Sequence, residues 1–179
     1  MERPGTAAFL GMSLDGFIAG PNDELDWLER GGGPQEDFGF NAFFATVDAL
    51  LIGRRTWEVV RRFPKWPYGD KRVFVLTHRH AREGHGERFL SGPPAEALER
   101  LGAEGIRRVY VDGGAVVSQF LSAGLLDELT VSILPVVIGR GIRLFQEAGP
   151  ERWLTLAESR SWPSGLVQIR YVARPVVAG

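Results

Sequence analysis

Ala49-Leu50-Leu51-Ile52-Gly53-Arg54-Arg55-Thr56-Trp57-Glu58 runs from four consecutive apolar residues through a glycine into a helical segment. An apolar run of that length reads as a strand buried on both faces, and such strands belong to parallel sheets covered by helices. Gly53 then lets the chain turn directly into a helix. A helix start leaves backbone N–H groups without partners beside a partial positive charge, so a strand, a glycine and a helix in succession form a ready anion site. Val109-Tyr110-Val111 running into Asp112-Gly113-Gly114-Ala115-Val116-Val117 repeats the arrangement. Glycine also serves ordinary tight turns, and either turn taken singly reads equally well as plain structure. The pair, with Arg54, Arg55 and Thr56 at one of its members, points to a dinucleotide with several phosphates to hold.

Outward from these turns, the pattern alternates strand and helix. Ala7 to Leu14 reads as a first strand, followed by turn residues around a short apolar Phe17-Ile18 and a long loop centred on Gly31-Gly32-Gly33-Pro34. Asp37 to Val47, with Phe40, Phe43, Phe44 and Val47 at helical spacing, reads as the first helix. Thr56 to Arg62 is a helix stopped before Pro64, Arg72 to Thr77 a strand, Pro94 to Leu101 a helix, Arg108 to Asp112 a strand, and Ala115 to Ala123 a helix ending at Gly124. The C-terminal part differs. Leu129 to Val137, Trp153 to Trp162 and Leu166 to Val172 read as strands with no helix between them, and Pro163-Ser164-Gly165 supplies a hairpin turn. The expected fold is α/β, with a mixed, mostly parallel sheet and an antiparallel C-terminal edge.

At 179 residues the chain has the size of a single domain, 1–179. A formal net charge of -1 with no basic tract argues against nucleic acid or a membrane surface as the main partner and favours a small molecule. The absence of cysteine excludes disulfides, thiolate catalysis and cysteine-bound zinc. Met1 to Thr6 lacks the features of a signal peptide and no apolar run has the length of a membrane span, so a cytoplasmic protein is expected. Of the 21 basic residues only Lys65 and Lys71 are lysine, which makes an arginine pair weaker evidence for phosphate binding than usual.

The strand from Arg72 ends in Thr77-His78-Arg79-His80. In nucleotide-binding α/β folds an acidic residue at such a strand end selects NAD, whereas basic and hydroxyl groups accommodate the 2′-phosphate of NADP. This cationic end favours NADPH. His78, His80 and His85 raise a metal reading, but no acidic or thiolate cluster completes a site, and none is expected. There is no zinc-protease motif, P-loop or Gly-x-Ser-x-Gly elbow.

Met12-Ser13-Leu14-Asp15-Gly16-Phe17-Ile18-Ala19, Leu51-Ile52-Gly53-Arg54-Arg55-Thr56-Trp57-Glu58, Val111-Asp112-Gly113-Gly114 and Leu126-Asp127-Glu128-Leu129 through Pro135 to Phe145 occur in this order over nearly the whole chain. With them the chain resembles a stand-alone member of the riboflavin-biosynthesis reductase family. That family corresponds to the C-terminal domain of the bifunctional deaminase-reductase, within the dihydrofolate reductase-like superfamily. The resemblance implies a three-layer α/β/α sandwich, NADPH as hydride donor and often a homodimer. It places Gly53, Arg54, Arg55 and Thr56 at the pyrophosphate and 2′-phosphate, and Thr77 and His78 on the adenosine side. Gly113, Gly114, Ala115 and Val116 fall at the second phosphate turn, and Gly11 and Ile18 beside the nicotinamide. Asp112 stands where dihydrofolate reductases carry a further glycine. Its carboxylate would repel a pyrophosphate and is expected to turn away and cap the helix.

Asp37, by its position at the start of the first helix, matches the acidic residue that supports substrate protonation in dihydrofolate reductase and is the candidate catalytic residue. A charge stabilised at a helix N-terminus explains it equally well. Trp27 and Phe40 are candidates for stacking on a flat heterocycle, with a core role as the alternative. Ser132 and the loop of Gly139, Arg140 and Gly141 are expected to border the substrate. The leading expectation is an NADPH-dependent reductase acting on a 5-amino-6-(5-phosphoribosylamino)uracil-like substrate. The chain carries no zinc deaminase domain, so a separate deaminase would have to supply that compound. A dihydrofolate reductase acting on a pterin, and a non-catalytic NADPH-binding protein, are the alternatives. A buried Asp37 would favour the pterin; the absence of an open cavity beside the nicotinamide would favour the non-catalytic protein. A homodimer is expected from apolar surface on Leu129–Val137 and Leu166–Val172.

Overall fold

A computed structural model describes residues 3–31, 36–79, 84–146 and 149–173. Its strands are β1 (Gly5–Ser13), β2 (Phe17–Ala19), β3 (Ala49–Gly53), β4 (Arg72–Leu76), β5 (Arg88–Leu90), β6 (Arg108–Asp112), β7 (Glu128–Leu134), β8 (Ile142–Arg143), β9 (Leu154–Ser161) and β10 (Val167–Ala173). Its helices are α1 (Asp26–Arg30), α2 (Phe40–Ala45), α3 (Arg54–Val60), α4 (Pro94–Ala103) and α5 (Gly114–Ser122). Eight strands form one sheet in the order β5-β4-β3-β6-β1-β7-β10-β9. The first six of that order run parallel, and β10 and β9 close the sheet antiparallel. The short β2 and β8 pair with each other outside it.

The period of two along each strand sorts the core onto two faces. Ala49, Leu51, Val109 and Val111 pack with Leu98 and Leu101 of α4 and with Val117 and Phe120 of α5. Leu50, Ile52 and Tyr110 face the other way, against Trp57 and Val60 of α3 and the phenylalanines of α2. Every residue of β3 is buried, as its unbroken apolar run requires. This is the expected three-layer α/β/α sandwich. A smaller cluster, in which Trp27 packs with Leu134 and Leu166, closes the end of the sheet where α1 meets the β9–β10 hairpin. The hairpin turns at Pro163-Ser164-Gly165, with Trp162 and Leu166 paired through their backbones.

Three local expectations need correction. The loop after β2 contains α1, too short to show a helical period. The helix expected over Asp37 to Val47 spans only Phe40–Ala45, because Phe38 and Gly39 both hold positive φ and start it late. β5 is a three-residue strand, below the length at which an alternation is visible. The ground offered for dimerisation also changes. β7 lies inside the sheet and is largely buried, and the C-terminal edge strand is β9, in which Leu156 is exposed and just before which Trp153 is exposed. No helix among the described residues is long and apolar enough to cross a membrane.

Candidate active site

After β3 the chain moves to β4 on one side, and after α4 it returns to β6 on the other. The C-terminal ends of β3 and β6 therefore lie side by side, with Ile52 opposite Asp112, where the winding direction of the sheet reverses. Parallel α/β sheets bind their ligands at such a crevice. Here both glycine turns meet. A Cβ on Gly113 would lie 2.4 Å from Thr56 Oγ1, and Gly113 holds a φ of +100° that side chains rarely adopt. A Cβ on Gly114 would lie 2.6 Å from the Arg143 carbonyl oxygen. The two turns fit against each other because Gly113 has no side chain, and Gly114 for the same reason admits the Arg143 and Leu144 carbonyls. Neither α3 nor α5 has a side-chain cap, so the first-turn N–H groups of α5 remain available to an anion.

A cavity of about 510 Å³ opens over these turns. Gly11, Ile18, Gly53, Arg54, Arg55, Thr56, Thr77, His78, Gly113, Gly114, Ala115 and Val116 all line it. Arg54 donates from Nε to Glu58 Oε1 at 2.8 Å and from Nη1 to the Arg79 carbonyl at 3.3 Å, which holds it beside the Thr77-His78 end of β4. Arg55 donates to Asp23 Oδ1 at 2.6 Å and to the Pro21 carbonyl, tying α3 to the loop after β2 at the cavity mouth. Gly11 has its own steric reason: a Cβ there would meet Leu28 Cδ2 at 2.6 Å, and Leu28 forms part of the wall.

Beyond the turns the cavity extends along the α3 side of the sheet into an apolar lobe walled by Phe9, Leu25, Leu28, Val59, Val60 and Phe63. Asp112, next to Gly113, also lines the cavity. It is two residues beyond Tyr110 and therefore shares its face. Its Oδ1 accepts the Gly113 N–H at 2.9 Å, and the Tyr68 hydroxyl lies near its carboxyl. Burial pushes its pKa up to about 6, against the opposing pull of the Gly113 N–H and the Tyr68 hydroxyl. The expectation that Asp112 turns away to cap the helix is thus corrected: it bonds no first-turn N–H of α5, and it lines the cavity.

The residues expected to carry catalysis and substrate binding fall elsewhere. Asp37 is exposed, and accepts the Asn41 N–H at 3.0 Å and the Gly39 N–H at 2.9 Å. Those bonds hold its carboxyl below the usual range, opposite in sign to the shift a proton relay near neutral pH needs. It stabilises the start of α2 and lies outside the cavity wall. Trp27 is core, its indole donating to the Glu24 carbonyl. Phe40 packs on Phe9, Phe44 and Tyr110 behind the lobe. Ser132 is buried and accepts a hydrogen bond from Gln168 Nε2 at 2.9 Å. Gly139 donates its N–H to Asp15, and neither it nor Arg140 lines the cavity. His78 lines the cavity, His85 stacks on Trp66, and His80 lies outside the described residues. Among the described residues no three His, Asp or Glu side chains are grouped to hold a metal ion.

The family model of the RibD C-terminal domain matches residues 6–168. The chain belongs to that family. The family includes oxidoreductases of riboflavin biosynthesis. The chain is 34% identical over 175 residues to the uncharacterized protein YwjB of Bacillus subtilis, covering 96% of this chain and 99% of that protein. It is 28% identical to the riboflavin biosynthesis protein RibD of Corynebacterium ammoniagenes, over 79% of this chain but 46% of that longer protein. Among solved structures, a candidate riboflavin biosynthesis protein from Shewanella sp. PV-4 superposes with a TM-score of 0.89 at 32% identity, covering 96% of this chain and 99% of that one. A dihydrofolate reductase from Enterococcus faecalis complexed with NADP(H) shares the fold alone, with a TM-score of 0.67 at 15% identity, covering 96% of this chain and 97% of that one. The RibD C-terminal fold is thus a dihydrofolate reductase-like α/β sandwich.

Proposed function

We propose that this RibD C-terminal family protein is an NADPH-dependent reductase acting on a ribosylamino-pyrimidine phosphate of the 5-amino-6-(5-phosphoribosylamino)uracil type, converting its ring-opened sugar imine to a ribitylamine. The observation that carries the reading is the junction of the two interlocked glycine turns with the apolar lobe in one cavity. The chemistry of the wall fits the cofactor. Gly113 and Gly114 let neighbouring segments pack closely against the second turn, and α5 presents unbonded N–H groups to a pyrophosphate. Arg54 and His78, beside Thr77, suit the 2′-phosphate, and Arg55 a phosphate at the mouth. Gly11 and Ile18 border the position of the nicotinamide. When bound, NADPH supplies a hydride. The chain's part is to orient the sugar imine carbon against the nicotinamide face and to exclude water with Phe9, Leu28, Val59 and Val60.

The lobe also bears on the alternatives. A non-catalytic NADPH-binding protein has no need of a cavity continuing past the phosphate turns. The pterin reading depended on a buried Asp37, and Asp37 is exposed. The test is NADPH consumption with a panel containing 5-amino-6-(5-phosphoribosylamino)uracil, its deaminase precursor and 7,8-dihydrofolate. Turnover restricted to the ribosylamino-pyrimidines supports the proposal, and turnover of dihydrofolate alone contradicts it. A homodimer joined near the β9 edge is proposed as well, and light scattering across a concentration series checks it; a monomer throughout refutes it.

A further inference from the structure

Residues 12–19 and 135–145 are two of the stretches that carry the family resemblance, and neither contains a phosphate turn. Asp15 fastens one to the other. We propose, resting on the NADPH reading above, that Asp15 is a positioning residue for the nicotinamide end of the cofactor: by clasping the loop between β7 and β8 it seats the β2–β8 ribbon as a wall of the cavity.

The ribbon needs such a fastening. β2 and β8 pair with each other and lie outside the eight-stranded sheet. Strands of three and two residues are too short to hold a position by their own pairing. Yet Ile18 and Ala19 of β2 and Ile142 of β8 all line the cavity, so the seat of the ribbon sets the shape of the wall.

The two ends of β8 are held in different ways. Beyond β8 the chain crosses the second glycine turn and is tied to α5. The Leu144 carbonyl accepts the Ser118 hydroxyl at 3.2 Å, the Gln146 N–H donates to that hydroxyl at 3.0 Å, and the Arg143 carbonyl lies against Gly114. Before β8 the tie is Asp15. Its Oδ2 accepts the Gly139 N–H at 2.8 Å and its Oδ1 the Ile138 N–H at 3.2 Å. Ser13, fully buried at the end of β1, donates its hydroxyl to Asp15 Oδ1 at 2.7 Å and accepts the Phe17 N–H at 3.0 Å. One hydroxyl on a strand of the main sheet thus aims the carboxylate and fixes the start of β2. Burial pushes the Asp15 carboxyl up, but the bonds from Ser13, Gly139 and Ile138 outweigh it and hold the group below the usual carboxylate range, so the clasp is charged at neutral pH.

A displaced loop is felt directly at the wall. Gly141 passes so close to β2 that a Cβ there would overlap the Ala19 carbonyl oxygen. The segment that follows Gly139 therefore presses on the backbone of a residue lining the cavity. Small errors of placement matter at this end, because hydride transfer depends on the position of the nicotinamide face, whereas the phosphates are held by separate groups.

The experiment compares wild type with Asp15→Ala, Asp15→Asn and Asp37→Ala. Asp37 is the matched control: it too is a carboxylate on two backbone N–H groups, but outside the cavity wall. Each protein is titrated with NADPH and with adenosine 2′,5′-bisphosphate, which carries the 2′-phosphate but no nicotinamide, and melting temperatures are recorded without ligand. Asp15→Ala should bind NADPH on the order of tenfold more weakly and the bisphosphate as wild type does, since Arg54, Thr77 and His78 are untouched. The fluorescence of its bound reduced nicotinamide should move toward that of the free cofactor, because water enters where the wall has shifted. Asp15→Asn keeps the size and one acceptor oxygen and should fall between; if Asp15→Ala does not fold, the ratio of the two affinities in Asp15→Asn decides. Asp37→Ala should lower the melting temperature and leave both affinities unchanged. Equal losses for the two ligands, or wild-type NADPH affinity in both Asp15 variants, overturn the proposal. Wild type that binds neither ligand sinks the cofactor reading and this role with it, whereas wild type that binds NADPH but reduces nothing in the panel sinks the reductase reading alone.

Discussion

Gly113→Ala is expected to weaken NADPH binding on the order of a hundredfold and to destabilise the fold by about 1–3 kcal/mol. The new Cβ would sit 2.4 Å from Thr56 Oγ1 on a backbone at φ +100°, and a separation of that size cannot be absorbed without parting the two turns. Once they part, the first-turn N–H groups of α5 and the α3 cations no longer converge. Breaking one charge-assisted hydrogen bond costs roughly 1.5–3 kcal/mol, so two of them reach the hundredfold scale. Thr56→Ala in the same chain removes the atom struck and should return part of the stability, though the backbone strain stays. Thermal melts and cofactor titration of both variants measure this. If Gly113→Ala binds NADPH like wild type, the turns do not form the cradle.

The largest loss of stability is expected from Trp57→Ala, about 3–5 kcal/mol. Trp57 is 1% exposed, packs edge-on against Phe89, and donates its indole N–H to Glu87 Oε1 at 2.8 Å. Glu87 is itself buried and also accepts the Gly84 and His85 N–H groups, so removal of the indole opens a cavity and strips one of the donors from a buried carboxylate. Denaturant midpoints compare it with Trp57→Phe, which keeps most of the volume and should lose less. Equal midpoints for Trp57→Ala and wild type would show that this side of α3 does not anchor the fold.

The parts of the site written in backbone conformation were legible in the sequence. Gly53, Gly113 and Gly114 mark turns because strand and helix patterns flank them, and every cofactor position read from the sequence lies on one cavity. The substrate side was not legible, for two physical reasons. Val59, Val60, Leu25 and Leu28 are apolar, and nothing in an apolar residue's type tells a cavity wall from a core. The polar residues chosen instead, Ser132 and Asp37, are satisfied locally by Gln168 and by backbone N–H groups that only the tertiary structure brings up. Asp112 carried a visible signal, a carboxyl where a phosphate turn wants none. Whether it would cap a helix or line a cavity with a raised pKa depended on burial that only the fold creates. α1 and β5 escaped because elements of five and three residues are too short to display a period.

The central claim, that the two glycine turns and their cations hold a dinucleotide bearing a 2′-phosphate, is tested most directly by titrating the wild-type protein with NADPH and with NADH, alongside Arg54→Ala and Arg55→Ala. NADPH should bind wild type at least tenfold tighter, and Arg54→Ala should erase most of that difference by weakening NADPH alone, because Arg54 is the cation held beside Thr77 and His78. Arg55→Ala should weaken both cofactors alike, as a contact at the mouth to a phosphate they share. Equal affinity of wild type for NADH and NADPH would contradict the account.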